Sequence, residues 1–398
     1  MGGKLLKRPT KSVLRKHWAL DPKVVFLNHG SFGACPKTVL RFQEKLRREM
    51  ESEPLLFLGR QHDDRVEQAR KSLARFLGTR TSELAFVTNA TTAVNAVVRS
   101  WQLRRGDEIL TTSLDYNACR NVLIETAARA GAKVKVIELP FPIHSEQEIE
   151  ARILSAVGKR TRFAMLDHVT SNSALILPVG KLATQLEQQG VRVLIDGAHA
   201  PGMLALNPSK LGASWYTGNL HKWVCAPKGA AFLWARQDTW DDLQPAVVSH
   251  GNNTRRMGYE AWQDRFDWPG TFDPTAWFSV PCALDAVSQF HPGGWPAIRK
   301  ANRLMVLDAR DRICGLLEVE SPCPARMLGS MATIPLPARF QNRHHTGRIA
   351  PEQLRLFEEF GIEVPFVKVG DLRCFRISAH LHNAPAEYDY LAQAILRI

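Results

Sequence analysis

The sequence has no stretch approaching the roughly 18–20 unbroken apolar residues of a membrane-spanning helix, so no membrane span is expected. The N-terminal run "MGGKLLKRPTKSVLRKHW" is basic and lacks the apolar core of a secretory signal. It begins Met-Gly, but Leu6 stands where a myristoylation signal needs Ser or Thr. It reads as a solvated arm or a short helix that docks on the fold. The seven cysteines, at 35, 119, 225, 282, 314, 323 and 374, include no CxxC pair and no Cys/His spacing of a zinc site. They read as reduced, mostly core residues of a cytoplasmic protein. The chain also lacks internal repeats, low-complexity linkers and any stripe of interleaved basic and aromatic residues. Its formal charge of +13 is spread along the whole length. Solubility and attraction of anionic small molecules therefore outweigh a nucleic-acid or membrane-surface role as the reading of that charge.

What is present describes a soluble globular chain. Apolar residues make up 45% and charged residues 23% of 398, enough for two domains and a large core. Helical and strand patterns alternate through the first half. "DDRVEQARKSLARFLG" has helical apolar spacing and a terminal glycine, and "ELAFVT" is a short β-rich run. The helix "TTAVNAVVRSWQ", strand "DEILTT", helix "YNACRNVLIETAARAG" and strand "KVKVIELP" follow. Then come the helix "SEQEIEARILSAV", the strand "RFAMLDH", the helix "PVGKLATQLEQQG" and the strands "VRVLID" and "ASWYTG". Strands separated by helices of this length predict a parallel sheet covered on both faces. Past about residue 235 the pattern loosens. Two long helical patterns, "AWFSVPCALDAVSQF" and "WPAIRKANRLMVLDARDRICGLL", lead into "MATIPLP", a helix at "PEQLRLFEEFG", strands "IEVPFV" and "LRCFRIS", and a last helix "APAEYDYLAQAILRI". This predicts a smaller α+β unit.

The chemistry concentrates at strand ends. "VRVLID" runs into Asp196 and a glycine-containing loop, the place where parallel α/β sheets bind ligands. Taken alone, Asp196 is as readily a helix cap. Lys222 follows 26 residues on, between His221 and Trp223 in "YTGNLHKWVCAPKG", company that a solvated surface lysine does not need. A lysine and an aspartate at two strand ends suit pyridoxal 5'-phosphate, which takes a lysine as its Schiff-base partner and an acid at its pyridine nitrogen. "FVTNATTAVN" sets Thr88, Asn89, Thr91 and Thr92 at a helix N-terminus, where a phosphate binds or where a plain cap sits. Tyr116 opens the next helix, either to cover a ring or simply to pack.

Together "IDGAHAPG", "YTGNLHKWVCAPKG", "WPGTFDPTAW" and "FLNHGSFGACP" resemble the class V aminotransferase group of fold type I pyridoxal-phosphate enzymes, and within it the isopenicillin N epimerase-like proteins. The likeness runs from about Phe26 to Asn383. It implies a mainly parallel seven-stranded sheet sandwiched by helices in a large cofactor-binding domain, 28–289. A smaller α+β domain, 290–398, and an N-terminal segment, 1–27, complete the implied organisation. Lys222 would carry the Schiff base and move the Cα proton, Asp196 would pair with the pyridine nitrogen, and His199 would contact the ring hydroxyl, with Ser171 nearby. Tyr116 matches the stacking position, and Thr91, Thr92, Asn219 and His221 match the phosphate side. Thr271 resembles a threonine that reaches the phosphate of a neighbouring subunit, which implies a homodimer with shared sites. Arg376 would grip a substrate carboxylate, with Asn28 and His29 lining the substrate side. Departures from the family pattern bear on the reaction. The region "FEEFGIEVPFVKVG", where cysteine desulfurases of this class carry a nucleophilic cysteine, has none; Asn172 in "HVTSNSA" stands where epimerase-like relatives often have Pro; and "HLHN" stands where "YN" is usual. The implied activity is epimerisation at Cα of an amino acid. C–S β-elimination and transamination are the alternative enzyme branches, and a nucleic-acid-binding protein that keeps the fold is the non-enzyme alternative.

Overall fold

The computed structural model describes residues 6–343, 347 and 349–398. Twelve strands occur among them. In chain order they are β1 (Val25–Phe26), β2 (Leu84–Val87), β3 (Glu108–Thr112), β4 (Lys133–Ile137), β5 (Thr161–Asp167), β6 (Arg192–Asp196), β7 (Trp215–Asn219), β8 (Ala231–Ala235), β9 (Met331–Pro335), β10 (Ile362–Glu363), β11 (Phe366–Val369) and β12 (Leu372–Ser378). Seven of them form one sheet in the order β2-β8-β7-β6-β5-β3-β4. The β4, β3, β5, β6 and β7 neighbours are parallel, and β8 runs antiparallel to both β7 and β2. The central strands β5 and β6 are near-continuous apolar runs, as a strand covered on both faces requires. Their residues alternate between two apolar cores. Leu166, Val193 and Ile195 enter one, while Met165 and Leu194 enter the other.

Helices Ala90–Ser100, Asn117–Ala130 and Val179–Gln188 cover the sheet, and helix His62–Leu77 packs beside β2. Each apolar stripe predicted from helical spacing between 62 and 188 is a helix in the structure, within a residue or two at the ends. Three features differ from expectation. The single helix predicted over 276–290 breaks at Ser279, because Pro281 lacks the amide that would continue the ladder. The strand predicted over 362–367 splits at Pro365, so that β10 pairs with β1 and β11 pairs with β12. Helix Lys37–Ser52 and strand β8 are additional elements.

The N-terminal segment docks on the C-terminal part of the chain. Residues 13–17 form a turn of 3-10 helix, and Trp18 is buried, its indole N–H donating to the Ala34 carbonyl at 3.1 Å. β1 adds to β10 in parallel, and Leu27 accepts the Ser378 amide at 2.9 Å. Residues 1–5 of the basic arm lie outside the described residues. The antiparallel β11-β12-β9 sheet holds Arg376 in its central strand.

Candidate active site

The parallel strands point their carboxyl ends at one cavity of about 260 Å³. β5 delivers Asp167, β6 delivers Asp196 and β7 delivers Asn219, and the loops beyond them add Ser171, His199, His221 and Lys222. Thr91 and Tyr116 enter from two helix N-termini, and Ser31 and Arg376 enter from the side of β12. This is the strand-end crevice that the topology favours for ligands.

The loop carrying Lys222 is clamped by close backbone approaches. At Gly33, with φ of +69°, a Cβ would overlap the His221 carbonyl; at Gly202, with φ of +86°, it would lie 2.6 Å from the Trp223 carbonyl carbon. Behind the loop, His29 Nε2 lies 3.0 Å from the Lys222 carbonyl oxygen and its Nδ1 lies 3.1 Å from His382 Nε2. His29 also stacks on His380 at 4.4 Å. His29 is fully buried there, so the structure does not bring it to the cavity wall where the resemblance put it. It braces the lysine from behind.

Inside the cavity the Lys222 Nζ lies 3.0 Å from His199 Nε2. Burial, and then the charge of Arg376, hold the Lys222 amine down to about 7. Burial keeps His199 well below the usual imidazole range, so it is neutral near neutral pH, and its Nδ1 is buried without a partner. A neutral amine beside a neutral imidazole is a nucleophile oriented by a hydrogen-bond partner. Asp196 Oδ1 accepts the Ala198 amide at 2.9 Å, and the Cys119 thiol donates to Oδ2 at 3.3 Å. Burial raises Asp196, and it raises Asp167 further because Asp196 stands beside it.

The phosphate side is built from caps. Asn89 accepts the Thr92 amide at 2.8 Å and its hydroxyl at 3.2 Å, and Asn219 Oδ1 accepts the Ala90 amide at 2.9 Å. Thr91 sits between them on the cavity wall at the positive end of an eleven-residue helix. Thr92 belongs to the cap instead, its hydroxyl 3.0 Å from that of Thr88. Tyr116 is 47% exposed and lines the opening. Thr271 lies elsewhere, on a separate open cavity of about 660 Å³ with Leu55, Arg256 and Trp268.

Arg376 is 3% exposed, and among the described residues it meets no carboxylate. Its Nη1 donates to the Ser171 carbonyl at 2.5 Å and its Nη2 donates to the Ser31 hydroxyl at 3.0 Å. Asn28 acts one step removed, accepting from that Ser31 hydroxyl at 2.5 Å. Burial brings the guanidinium down to about 10. A buried cation held by neutral oxygens is short of an anion. Asp167, Ser31 and Cys119 are site residues that motif reading misses; Asp167 alone had a visible signal, since it ends an apolar strand just as Asp196 does.

A reactive amine, a buried carboxyl pair, a helix N-terminus and an unmatched guanidinium around one cavity fit pyridoxal phosphate and an amino-acid carboxylate, and with the α/β fold they define a fold type I cofactor enzyme. Residues 28–337 match the aminotransferase class-V family, and the chain belongs to that pyridoxal-phosphate-dependent family. It is 33% identical over 396 residues to isopenicillin N epimerase of Amycolatopsis lactamdurans, covering 96% of each chain. It is 31% identical over 405 residues to a probable chloroplastic L-cysteine desulfhydrase of Arabidopsis thaliana, covering 94% of this chain and 83% of that protein. A solved structure of a C-DES mutant with glycine covalently linked to its PLP cofactor shares the fold at a TM-score of 0.78 and 18% identity, over 96% of this chain and 98% of that one.

Proposed function

We propose that this enzyme moves the Cα proton of a small amino acid, with epimerisation as its outcome. Lys222 carries the reading: its amine, enclosed beside His199 and held to about 7, can exist unprotonated at working pH. Bound pyridoxal phosphate supplies an electron sink for charge developing at Cα. Asp196 would hold the ring-nitrogen end of that group, Thr91, Asn219 and His221 would hold its phosphate, and Arg376 would take the substrate carboxylate. Lys222 Nζ then receives the proton from Cα, and His199 accepts or returns a hydrogen bond to that nitrogen. Epimerisation needs a donor on the opposite face, and Tyr116 is the wall residue we assign there.

A second reading, β-elimination of a C–S bond from a substrate of cysteine size, is supported by the 31% identity to a probable L-cysteine desulfhydrase and is compatible with the size of the cavity. Its volume of about 260 Å³ falls below the roughly 300–1,000 Å³ usual for ligand pockets. Once a cofactor shares that space, a substrate of cysteine size is accommodated most easily.

We further propose a homodimer in which Thr271 serves the partner's site, because it stands on a wall away from its own Lys222 cavity. No helix among the described residues is long and apolar enough to cross a membrane, and all seven cysteines are unpaired, which supports a reduced, cytoplasmic setting.

The experiment is incubation of the cofactor-loaded enzyme with single amino acids in deuterated water. Deuterium at Cα with loss of chirality supports epimerisation. Pyruvate, ammonia and a thiol support the lyase, and a keto acid alone supports transamination. No exchange at all, with Lys222→Ala indistinguishable from wild type, would overturn the reading.

A further inference from the structure

The cavity floor holds two carboxyls where the chemistry above uses one. Asp167 and Asp196 are direct register partners at the ends of parallel strands β5 and β6. Parallel neighbours lie about 4.8 Å apart and register partners share a face, so the two side chains leave the sheet together. Both line the cavity and both are 3% exposed. Asp196 has both oxygens engaged, by the Ala198 amide and the Cys119 thiol. Asp167 Oδ1, by contrast, is buried with no partner. An ionised Asp167 would leave that oxygen bare beside a second anion, whereas a protonated one has an O–H to give.

The surrounding charges do not balance two carboxylates. Asp115 faces the pair from the loop after β3, and Arg120 and Thr111 already engage it. The Cys119 thiol, the Tyr216 phenol, His168, His199 and His221 surround the pair, burial raising the first two and lowering the three imidazoles, so all five stay uncharged near neutral pH. Among the described residues that leaves Lys222, whose amine is easily deprotonated, and Arg376, committed to Ser31 and Ser171. Two like charges this close in a dry site cannot both persist.

We propose that Asp167 and Asp196 form a carboxyl pair that holds one proton between them across the neutral range. The pair stands on the strand register, the burial of both carboxyls and the unpartnered Asp167 oxygen, and needs no cofactor. Its use, presenting a single negative charge to a protonated ring nitrogen, rests on the cofactor reading above.

The test is carbon NMR of the cofactor-free full chain with carboxyl-labelled aspartate, assigned with Asp167→Asn and Asp196→Asn. At about pH 7 wild type should show one protonated carboxyl shared by the two positions. Replacing either partner should let the other titrate lower by at least about one pH unit. Two ionised carboxylates at neutral pH, or titrations indifferent to the partner's substitution, would overturn the pair. If a variant fails to fold, the wild-type proton count still decides. In loaded protein, Asp167→Asn should move the pH midpoint of the cofactor's visible band by at least about half a unit. An unmoved midpoint removes Asp167 from the cofactor's environment. Absence of any band in wild type sinks the cofactor reading and leaves the NMR result to judge the pair.

Discussion

Two buried groups of charges in this molecule are built on opposite plans. Beneath the larger open cavity, Arg70 is fully buried and bonds both oxygens of Asp267 at 2.6 Å and Glu67 at 2.7 Å. Arg256 joins the same cluster, bonding Asp264 and Asp267, each at 2.6 Å. These carboxylates offset desolvation and raise both guanidinium groups above their ordinary values. At the strand ends, Arg376 is as deeply placed yet meets only seryl oxygens and a carbonyl, and burial lowers it to about 10. One cluster is complete within the chain and serves the fold. The other is left incomplete, and what it lacks, an anion and an electrophile, describes its ligands.

The sharpest way to break this contrast is at Lys222. Lys222→Ala should lower Cα proton exchange by at least about 10³-fold, because it removes both the nucleophile and the proton carrier. Hydrogen exchange into substrate, followed by mass spectrometry, measures it. The folded state should persist in the variant, since the wild-type amine is buried at a cost.

Next come the two arginine systems. Asp267→Ala leaves the fully buried Arg70 with Glu67 alone and takes one of the carboxylates of half-buried Arg256, and should cost about 3–5 kcal/mol of stability, read from denaturant melts. Arg376→Leu should do the opposite, leaving stability unchanged or raised by about 0–2 kcal/mol while KM rises roughly 10–100-fold from the loss of a charged hydrogen-bond pair. Equal destabilisation by both substitutions would erase the distinction between the clusters.

A smaller effect concerns pH. The folded Lys222 amine titrates at about 7, well under an ordinary lysine. Below that value it is protonated and not nucleophilic, so the rate of pyridoxal-phosphate capture by cofactor-free enzyme should climb about tenfold per pH unit and level off above about 7. Linkage gives the matching stability trend. Between the folded and unfolded values the unfolded chain binds more protons, so this group's contribution makes cofactor-free protein more stable as pH rises from about 7 towards the ordinary lysine range. Stopped-flow absorbance and melts across pH read the two trends.

The contrast also explains what the sequence discloses. Lys222 and Asp196 are legible because Asp196 ends an apolar strand, Lys222 lies three residues past another, and each adjoins a glycine-containing loop motif, where buried polar residues need a reason. Asp167 ends β5 in the same manner but is followed by no such loop motif. The partners of Arg376 are unreadable: Ser31 is 345 residues away in the chain, and only the docking of the N-terminal segment on β12 joins them. His29 misleads for the same reason, since its neighbours His380 and His382 arrive from the far end. Strand β8 escapes because a run of five buried residues shows no period by which to tell strand from helix.

The smallest predicted effect probes the reaction branch. Cys374 is buried in β12 and, with Arg373, Phe366 and Lys368, lines a cavity apart from that of Lys222. Burial pushes its thiol up to about 12, which leaves almost no thiolate at neutral pH. Cys119 and Cys225 are also buried and held protonated, the first as a donor to Asp196 and the second packed against His29 and His380. A persulfide route needs an accessible thiolate that can approach the substrate sulfur. Cys374→Ala should therefore leave turnover within about twofold, because a buried cysteine here acts as a small apolar side chain. Sulfur release should persist as a free thiol or sulfide and not as a protein-bound persulfide, detected by alkylation and intact mass. A drop to background in this variant would reassign the chain to thiolate-mediated sulfur transfer, and would show that the strand-end cavity is completed by a group that the paired and unpaired arginines do not reveal.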